Sequence, residues 1–325
     1  MTPSRPHVRM IRRRSTVIVS PIRFEAIVQV VIWFAGRLSG NQIRHCGYNR
    51  RYAGREAGEI ANPAEGATMP TAIDHVVILV EDLDQAVRQY EQLGFTVVPG
   101  GKHARYTHNA LITFQDGSYL ELIAFYEAPD PASGTGHRWY RHLSHGGGLI
   151  DFAVGTDDVT SVVAATSSRG LSYDGPHPGQ RARPDGQQLA WRSAMVGAGD
   201  SAALPFVIED ITDRGLRVPA EASTHSNGVR GISALIIAVD DLDAAVGGYQ
   251  RLLDKSEPDG TSAGGAYFLI GPHRVELASS VNDGPVANQL SERGTGLFEL
   301  QLLASEERDI DPSAAGGARL RLVAR

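Results

Sequence analysis

Cysteine is almost missing from this chain. Cys46 stands alone among 325 residues, so no disulfide can close within the chain, no paired-thiolate metal site can form, and a reducing cytoplasm is the simpler location. A phosphate-cradling glycine loop in a strand-to-helix context is also lacking, as is a Gly-x-Ser-x-Gly nucleophile elbow. Pairs such as Gly197 and Gly199, or Gly264 and Gly265, belong to turns rather than to a nucleotide site. No apolar run is long enough to span a bilayer: the stretch Ile27 to Gly36 is short and has Arg23 and Glu25 close by.

Positive charge is scarce outside the N-terminal stretch. Residues 1–68 hold eleven arginines against four glutamates, a balance of +7, which leaves −13 on residues 69–325 against −6 for the whole chain. An acidic body argues against nucleic-acid binding, and nothing in it argues for a membrane. The basic leader, residues 1–68, reads as an over-called start ahead of Met69, with a disordered arm or an interfacial amphipathic helix as alternatives.

What is present is a repeat. Hydrophobic content of 42% is ample for a core, and the length predicts about two domains. The β-branched run Ile73 to Val80 passes through Glu81-Asp82-Leu83-Asp84 into a helical pattern with Val87, Tyr90 and Leu93 on one face, which Gly94 ends. Strand-like runs follow at Phe95 to Val98, Asn109 to Phe114 and Tyr119 to Phe125, giving a βαβββ unit of about fifty residues, too small to stand alone. The same register recurs with Asp82-Leu83 over Asp158-Val159 and Asp241-Leu242, so that Ile73-Asp74-His75 faces Leu149-Ile150-Asp151 and Ile232-Ser233-Ala234. The fourth strands each carry a glutamate: Glu121, Glu209 and Glu276.

The domain plan that follows is α+β, with paired βαβββ modules forming cupped mixed sheets. Residues 69–212 hold modules one and two, 213–230 form a linker, and 231–325 hold module three and a shortened module four. Between the first two modules, the Pro/Gly-rich stretch from Glu127 to Gly148 allows a short helix around His137 to Leu143. The Pro/Arg/Gly-rich stretch Pro176 to Gly186 reads as a long loop over a cleft or a solvated insertion.

The opening Ile-Asp-His-Val-Val-Ile-Leu-Val, the Val-Glu-Asp-Leu-Asp helix start and the Tyr-Leu-Glu-Leu-Ile strand at 119–123 resemble the vicinal oxygen chelate superfamily. Thr107-His108-Asn109-Ala110-Leu111 and Arg183-Pro184-Asp185-Gly186 look like its glyoxalase-like domain proteins. The resemblance covers most of residues 71–280. It implies a metal at the centre of a cup made by two modules, with one ligand from the first strand and one from the fourth strand of each. In this chain those positions are His75, Glu121, Asp151 and Glu209.

Strand alternation independently puts His75, Val77 and Leu79 on one face, and Tyr119, Glu121, Ile123 and Phe125 on one face. A carboxylate buried there needs a cation, a donor or a proton. One imidazole with three carboxylates suits Mg, Mn, Zn or Ni better than the two-histidine, one-carboxylate arrangement of non-haem iron. The register in module two can slip onto Ile150 or Phe152, and Glu209 and Asp151 have Arg183 and Arg192 as alternative partners. His108 is either a replacement imidazole or a solvent-facing side chain. Glu276 is a control, because Ala234 takes the histidine position in module three.

Two readings remain open. One is a metal-dependent, glyoxalase-type lyase or isomerase acting on a small carbonyl or hydroxycarbonyl substrate through an enediolate, with Glu209 as base and His108, Asn109, Arg183 and Trp191 contacting substrate. The other is a metal-free module that binds or sequesters an apolar or aromatic small molecule in the same cup, oriented by His75, Asn109 and the arginines of the 181–192 segment. Tyr106, Trp191 and Phe206 are candidate walls. A homodimer is compatible with the incomplete second half.

Overall fold

Three aspartates mark the repeat. Asp82, Asp158 and Asp241 each cap a helix by accepting a bond from the backbone N–H of Gln85 (2.8 Å), Ser161 (3.0 Å) and Ala244 (2.9 Å). Each cap satisfies a donor that the first helical turn leaves without a partner, a contribution of about 1 kcal/mol. The computed structural model describes residues 69–130, 137–197, 203–262, 264–280 and 284–324. The basic leader, Cys46 and Gly199 lie outside the described residues.

Module one runs β1 (Ala72–Leu79), α1 (Leu83–Gln92), β2 (Val98–His103), β3 (Thr107–Thr113) and β4 (Tyr119–Phe125). Module two runs β5 (Gly148–Gly155), α2 (Val159–Ser168), β6 (Tyr173–Ala182), β7 (Gln188–Val196) and β8 (Phe206–Asp210). A short helix, α3 (Arg214–Arg217), follows. Module three holds β9 (Gly231–Ala238), α4 (Leu242–Leu253), β10 (Gly260–Ser262), β11 (Gly265–Ile270) and β12 (His273–Ala278). Last come α5 (Pro285–Arg293), β13 (Gly296–Ala304), β14 (Arg308–Ile310) and β15 (Leu320–Ala324). β13 pairs in parallel with β15 as β1 does with β4, so the fourth module keeps three strands, β13, β14 and β15, and lacks the α-helix that follows the first strand in the other modules.

Modules one and two close into a barrel of order β1-β4-β3-β2-β6-β7-β8-β5, and the rest forms a seven-stranded sheet, β10-β11-β12-β9-β13-β15-β14. One face of the barrel strands packs under the helices, where Val76, Ile78, Leu120, Leu122, Phe152 and Val207 join a core with Tyr90 and Val162. The other face turns inward with Val77, Leu79, Ile123, Ala153, Phe206 and Ile208. The two sets alternate along the strands, as the period of a β-strand requires.

Two local expectations need correction. The second strand starts at Val98 rather than Phe95, because the N–H of Phe95 closes the helix end on Tyr90 O (3.1 Å) and that of Thr96 is taken by His225 Nδ1 (3.0 Å). The stretch Pro176 to Gly186 is not one long loop: β6 runs through it to Ala182, pairing with β7 on one side and, at His103 and Arg181, with β2 on the other. Those ladders satisfy the backbone that a loop would have left to water. Only the turn at 183–187 remains, closed by Arg183 N to Gln187 O at 2.9 Å.

The barrel and the second sheet meet at the turn between β3 and β4. His273, 1% exposed, accepts from Ile73 N (2.9 Å) and faces Asp116 Oδ2 at 3.3 Å, while that carboxylate also accepts from Ile232 N (3.0 Å). Among the described residues no helix is long and apolar enough to cross a membrane.

Candidate active site in the first barrel

The barrel encloses a cavity of about 560 Å³. Its walls are largely apolar, with Trp139, Trp191, Met195, Phe206 and Ile208, and its polar groups come from β1, β2, β3, β4, β6, β7 and α3 and from Arg105 and His137 in the connections. His75 and Glu121 face each other inside it, Nε2 to Oε2 3.6 Å apart, as the alternation of β1 and β4 requires. Behind the ring, Asp74 Oδ1 lies 2.7 Å from His75 Nδ1. An Nδ1–H donated to this carboxylate leaves Nε2 directed at the cavity, where it accepts when the ring is neutral and donates when it is protonated.

Glu121 is almost fully buried, and its Oε1 accepts from Asn109 Nδ2 at 2.5 Å and lies 3.8 Å from His103 Nε2. Burial works to raise its pKa, but His75, His103 and the Asn109 bond outweigh that and hold the carboxyl below its ordinary value. It is therefore a carboxylate at neutral pH. Burial pushes the pKa of His103 down, with the Glu121 carboxylate opposing, and it takes His137 down to about 4. Asn109 Oδ1 is buried with no hydrogen-bond partner. β2 passes so close to it that a Cβ on Gly100 would lie 2.0 Å from this oxygen, so only glycine fits at that strand position.

A second polar cluster forms the floor. Arg217 of α3 pairs with Asp74 (Nη1–Oδ1 2.9 Å, Nη2–Oδ2 3.0 Å) and Asp210 (Nε–Oδ1 2.5 Å, Nη2–Oδ2 2.8 Å), and donates to Tyr119 Oη at 2.7 Å. Arg214 joins the same two carboxylates. Burial opposes ionisation of Asp74, yet Arg217 and His75 hold its carboxyl well below the usual range. Tyr119 stacks on the His75 ring, centroids 4.7 Å apart, which fixes the plane of the imidazole.

The other expected site residues are dispersed. Asp151 lies opposite Val77 on the inward side of β5, but its Oδ2 is taken by Arg138 and by Trp139 Nε1 (2.7 Å) and its Oδ1 by Phe152 N (2.9 Å). Glu209 points away from the cavity, accepting from Val159 N at the start of α2 (3.0 Å) and from Arg192 (2.8 Å), one of its two alternative partners. Strand register explains the displacement. Val77 pairs with Glu121 and, in module three, Ile236 with Glu276, but the equivalent residue of module two, Ala153, pairs with Phe206. A phenyl ring stands where the repeat would put the second carboxylate.

His75, Glu121, Asp151 and Glu209 thus do not converge. Among the described residues no three His, Cys, Asp or Glu side chains are placed to hold a metal ion. The donor set does not fit the divalent ion that the superfamily commonly uses. Of the expected substrate contacts, Asn109 and Trp191 line the cavity. His108 lies on the outer side of β3 with its ring edge-on to Tyr126 (6.0 Å), and Arg183 is held by Asp185 and Leu216 O. Of the candidate walls, Trp191 and Phe206 line the cavity and Tyr106 is not among its lining residues.

Sequence reasoning missed Asp74, His103, Trp139 and Arg217, and reached Arg181 only as one of the arginines of the 181–192 segment. The usable signals were a carboxylate next to His75 on an otherwise apolar strand, a tryptophan within a Pro/Gly stretch, and two arginines three apart just after Glu209-Asp210.

Residues 73–253 match the family described as glyoxalase-like domain. No curated protein matches the chain significantly. The structure of a hypothetical protein from Staphylococcus aureus superposes with a TM-score of 0.59, covering 78% of this chain and 99% of that one at 15% identity. A mutant of 4-hydroxymandelate synthase from Streptomyces coelicolor superposes with a TM-score of 0.53, covering 73% of this chain and 72% of that one at 17% identity. At such identities the likeness is one of fold. The family match spans more than half of the sequence, and the chain belongs to the glyoxalase-like domain family of the vicinal oxygen chelate superfamily.

Proposed function

We propose that this member of the glyoxalase-like domain family uses its first barrel to bind a small carbonyl or hydroxycarbonyl compound and to move a proton between its neighbouring carbons. The observation that carries the reading is the line Asp74, His75, Glu121, ending in a half-open, mostly apolar cavity. Glu121 is the base. It takes the proton from the carbon beside the carbonyl, the C–H electron pair becomes the C=C of an enediol, and the carbonyl oxygen receives a proton from His75 Nε2. Glu121 returns its proton to the adjacent carbon and the other oxygen gives one to His75 Nε2, restoring the imidazolium that donated in the first step, so the isomerisation balances in atoms and charge. Asn109 donates its Nδ2–H to Glu121 and so holds the base in place for the substrate. Trp139, Trp191 and Phe206 exclude water, which strengthens each of these polar contacts.

The test is incorporation of solvent deuterium, followed by proton NMR, across a panel of 2-hydroxyketones, with wild type, Glu121→Gln and His75→Ala. Exchange in wild type that Glu121→Gln reduces about 100-fold or more supports the reading. No exchange with any compound that binds would overturn it.

A second reading has its own observation. Asp151 and Glu209 are both neutralised by arginines, leaving Glu121 as the only one of the three expected carboxylate ligands that faces the cavity without an arginine ion pair. A cup of that composition also suits metal-free binding without turnover. Ligands that quench tryptophan fluorescence and return unchanged, with no exchange, would favour it.

A further inference from the structure

Arg181 differs from the other arginines that meet the barrel. Arg138 faces Asp151, Arg192 faces Glu209, Arg214 and Arg217 share Asp74 and Asp210, and Arg105, at the cavity rim, is exposed to water. Arg181 lies on β6 where that strand meets β2, is 4% exposed, and lines the cavity. Its two hydrogen bonds go to backbone carbonyls: Nη1 to Gly100 O, and Nη2 to Arg217 O at 3.3 Å. Among the described residues no carboxylate lies within ion-pair distance of it.

A buried guanidinium held by neutral carbonyls alone is costly, because those dipoles replace only part of the hydration it has lost. Neutralisation by proton loss is closed to arginine at any physiological pH, although burial does push its pKa down. Glu121 acts on it electrostatically but does not reach it. The missing countercharge therefore has to come from whatever enters the cavity. A planar carboxylate matches the fork of guanidinium N–H donors better than a spherical anion does. Around the same space stand Trp139, Trp191, Phe206 and Met195, surfaces for a flat apolar body.

We propose that Arg181 seats the carboxylate of the ligand, so that the natural ligand is a small organic acid with an aromatic or other flat apolar body. This deepens the reading of the barrel as a small-molecule site and rests on it. His75, Glu121 and Asn109 then act on the oxygens and carbon next to that carboxylate, while the ring packs between the tryptophans.

The experiment compares matched pairs of probes of one shape and two charges, phenylglyoxylate with phenylglyoxylamide and phenyllactate with phenyllactamide. Binding is titrated by tryptophan fluorescence and calorimetry in the full chain, in Arg181→Met and in Arg181→Lys. Wild type should bind each acid more tightly than its amide by on the order of tenfold to a hundredfold, the range expected for one buried charge-assisted contact. Arg181→Met should lose that preference while keeping amide binding, which also shows that the variant is folded. Arg181→Lys should keep part of it, as a point charge without the fork. Equal binding of acid and amide by wild type, or a preference that survives in Arg181→Met, overturns the role of Arg181 while the small-molecule reading stands. Binding of none of the four probes at millimolar concentration overturns both.

Discussion

Arg217 and Asp74 meet as a two-pronged pair, Nη1 to Oδ1 at 2.9 Å and Nη2 to Oδ2 at 3.0 Å, with both side chains almost wholly buried. Asp74 belongs to the first strand of the barrel and Arg217 to the segment that leads away from it. Because Asp74 also holds His75, the contact couples that segment to the orientation of the candidate catalytic ring.

Substitution of Asp74→Asn is expected to cost about 3 kcal/mol of stability, since it leaves a buried guanidinium short of one countercharge. Urea unfolding measures it. The double variant Asp74→Asn, Arg217→Met should recover part of the loss, giving a coupling energy of about 1 kcal/mol or more. Strict additivity of the two single changes would show that the pair is not coupled.

Glu209→Gln and Glu121→Gln separate the two glutamates by function. Glu209 faces away from the cavity and is shared between Val159 N and a half-exposed Arg192, so its loss should cost about 1 kcal/mol or less and leave ligand affinity within about twofold. Glu121→Gln should reduce proton exchange about 100-fold or more with little change in melting temperature. The reverse ranking in exchange assays would return the role of base to Glu209.

Chelation provides a third prediction. Asp151 is occupied by Arg138 and Trp139, and Glu209 by Arg192 and Val159 N, so neither is free to complete an ion site with His75 and Glu121. Dialysis against EDTA should leave probe affinity unchanged, and elemental analysis should find well under one Mg, Mn, Zn or Ni per chain. Near-stoichiometric metal that disappears in His75→Ala, Glu121→Ala would contradict the expectation.

The pH dependence of stability should carry a signature of His225. Its Nδ1 accepts from Thr96 N (3.0 Å) and its Nε2 lies 3.0 Å from Thr113 O, a pattern only the neutral ring can satisfy. Burial lowers its pKa below the ordinary value of about 6.5, with the Thr113 bond opposing. The unfolded chain then binds a proton more readily than the folded one. Its contribution is fully present above the unfolded value and is lost as pH falls from there through the folded value. Melting temperatures of wild type and His225→Phe should therefore converge on acidification; a constant gap would mean the ring does not titrate differently on folding.

Much of the architecture was legible because its cause is local. An aspartate at each helix start and a period of two in each strand recur at fixed spacing, and they place His75 and Glu121 in the cavity without any tertiary information. Asp151 and Glu209 resisted because their fates are set by pairing. Shifts in the β1–β5 ladder alter the count along the strand, and β8 joins β5 so that Phe206, not Glu209, falls opposite the repeat position. Arg217 was hidden, and Arg181 was not separable from Arg183 and Arg192, for a different reason. Both lie in stretches whose composition reads as loop or linker, and only long-range ladders and ion pairs turn them inward.

The seven-stranded sheet ends in β10 and β14, each three residues long, whereas the barrel ends nowhere. A neighbouring molecule seeking to extend the sheet would find a ladder of one or two backbone bonds at either side, and on β14 it would meet exposed Arg308 and Asp309. The chain thereby carries its own brake on fibrous growth: lengthening either terminal strand by a few apolar residues should convert a well-behaved protein into one that polymerises.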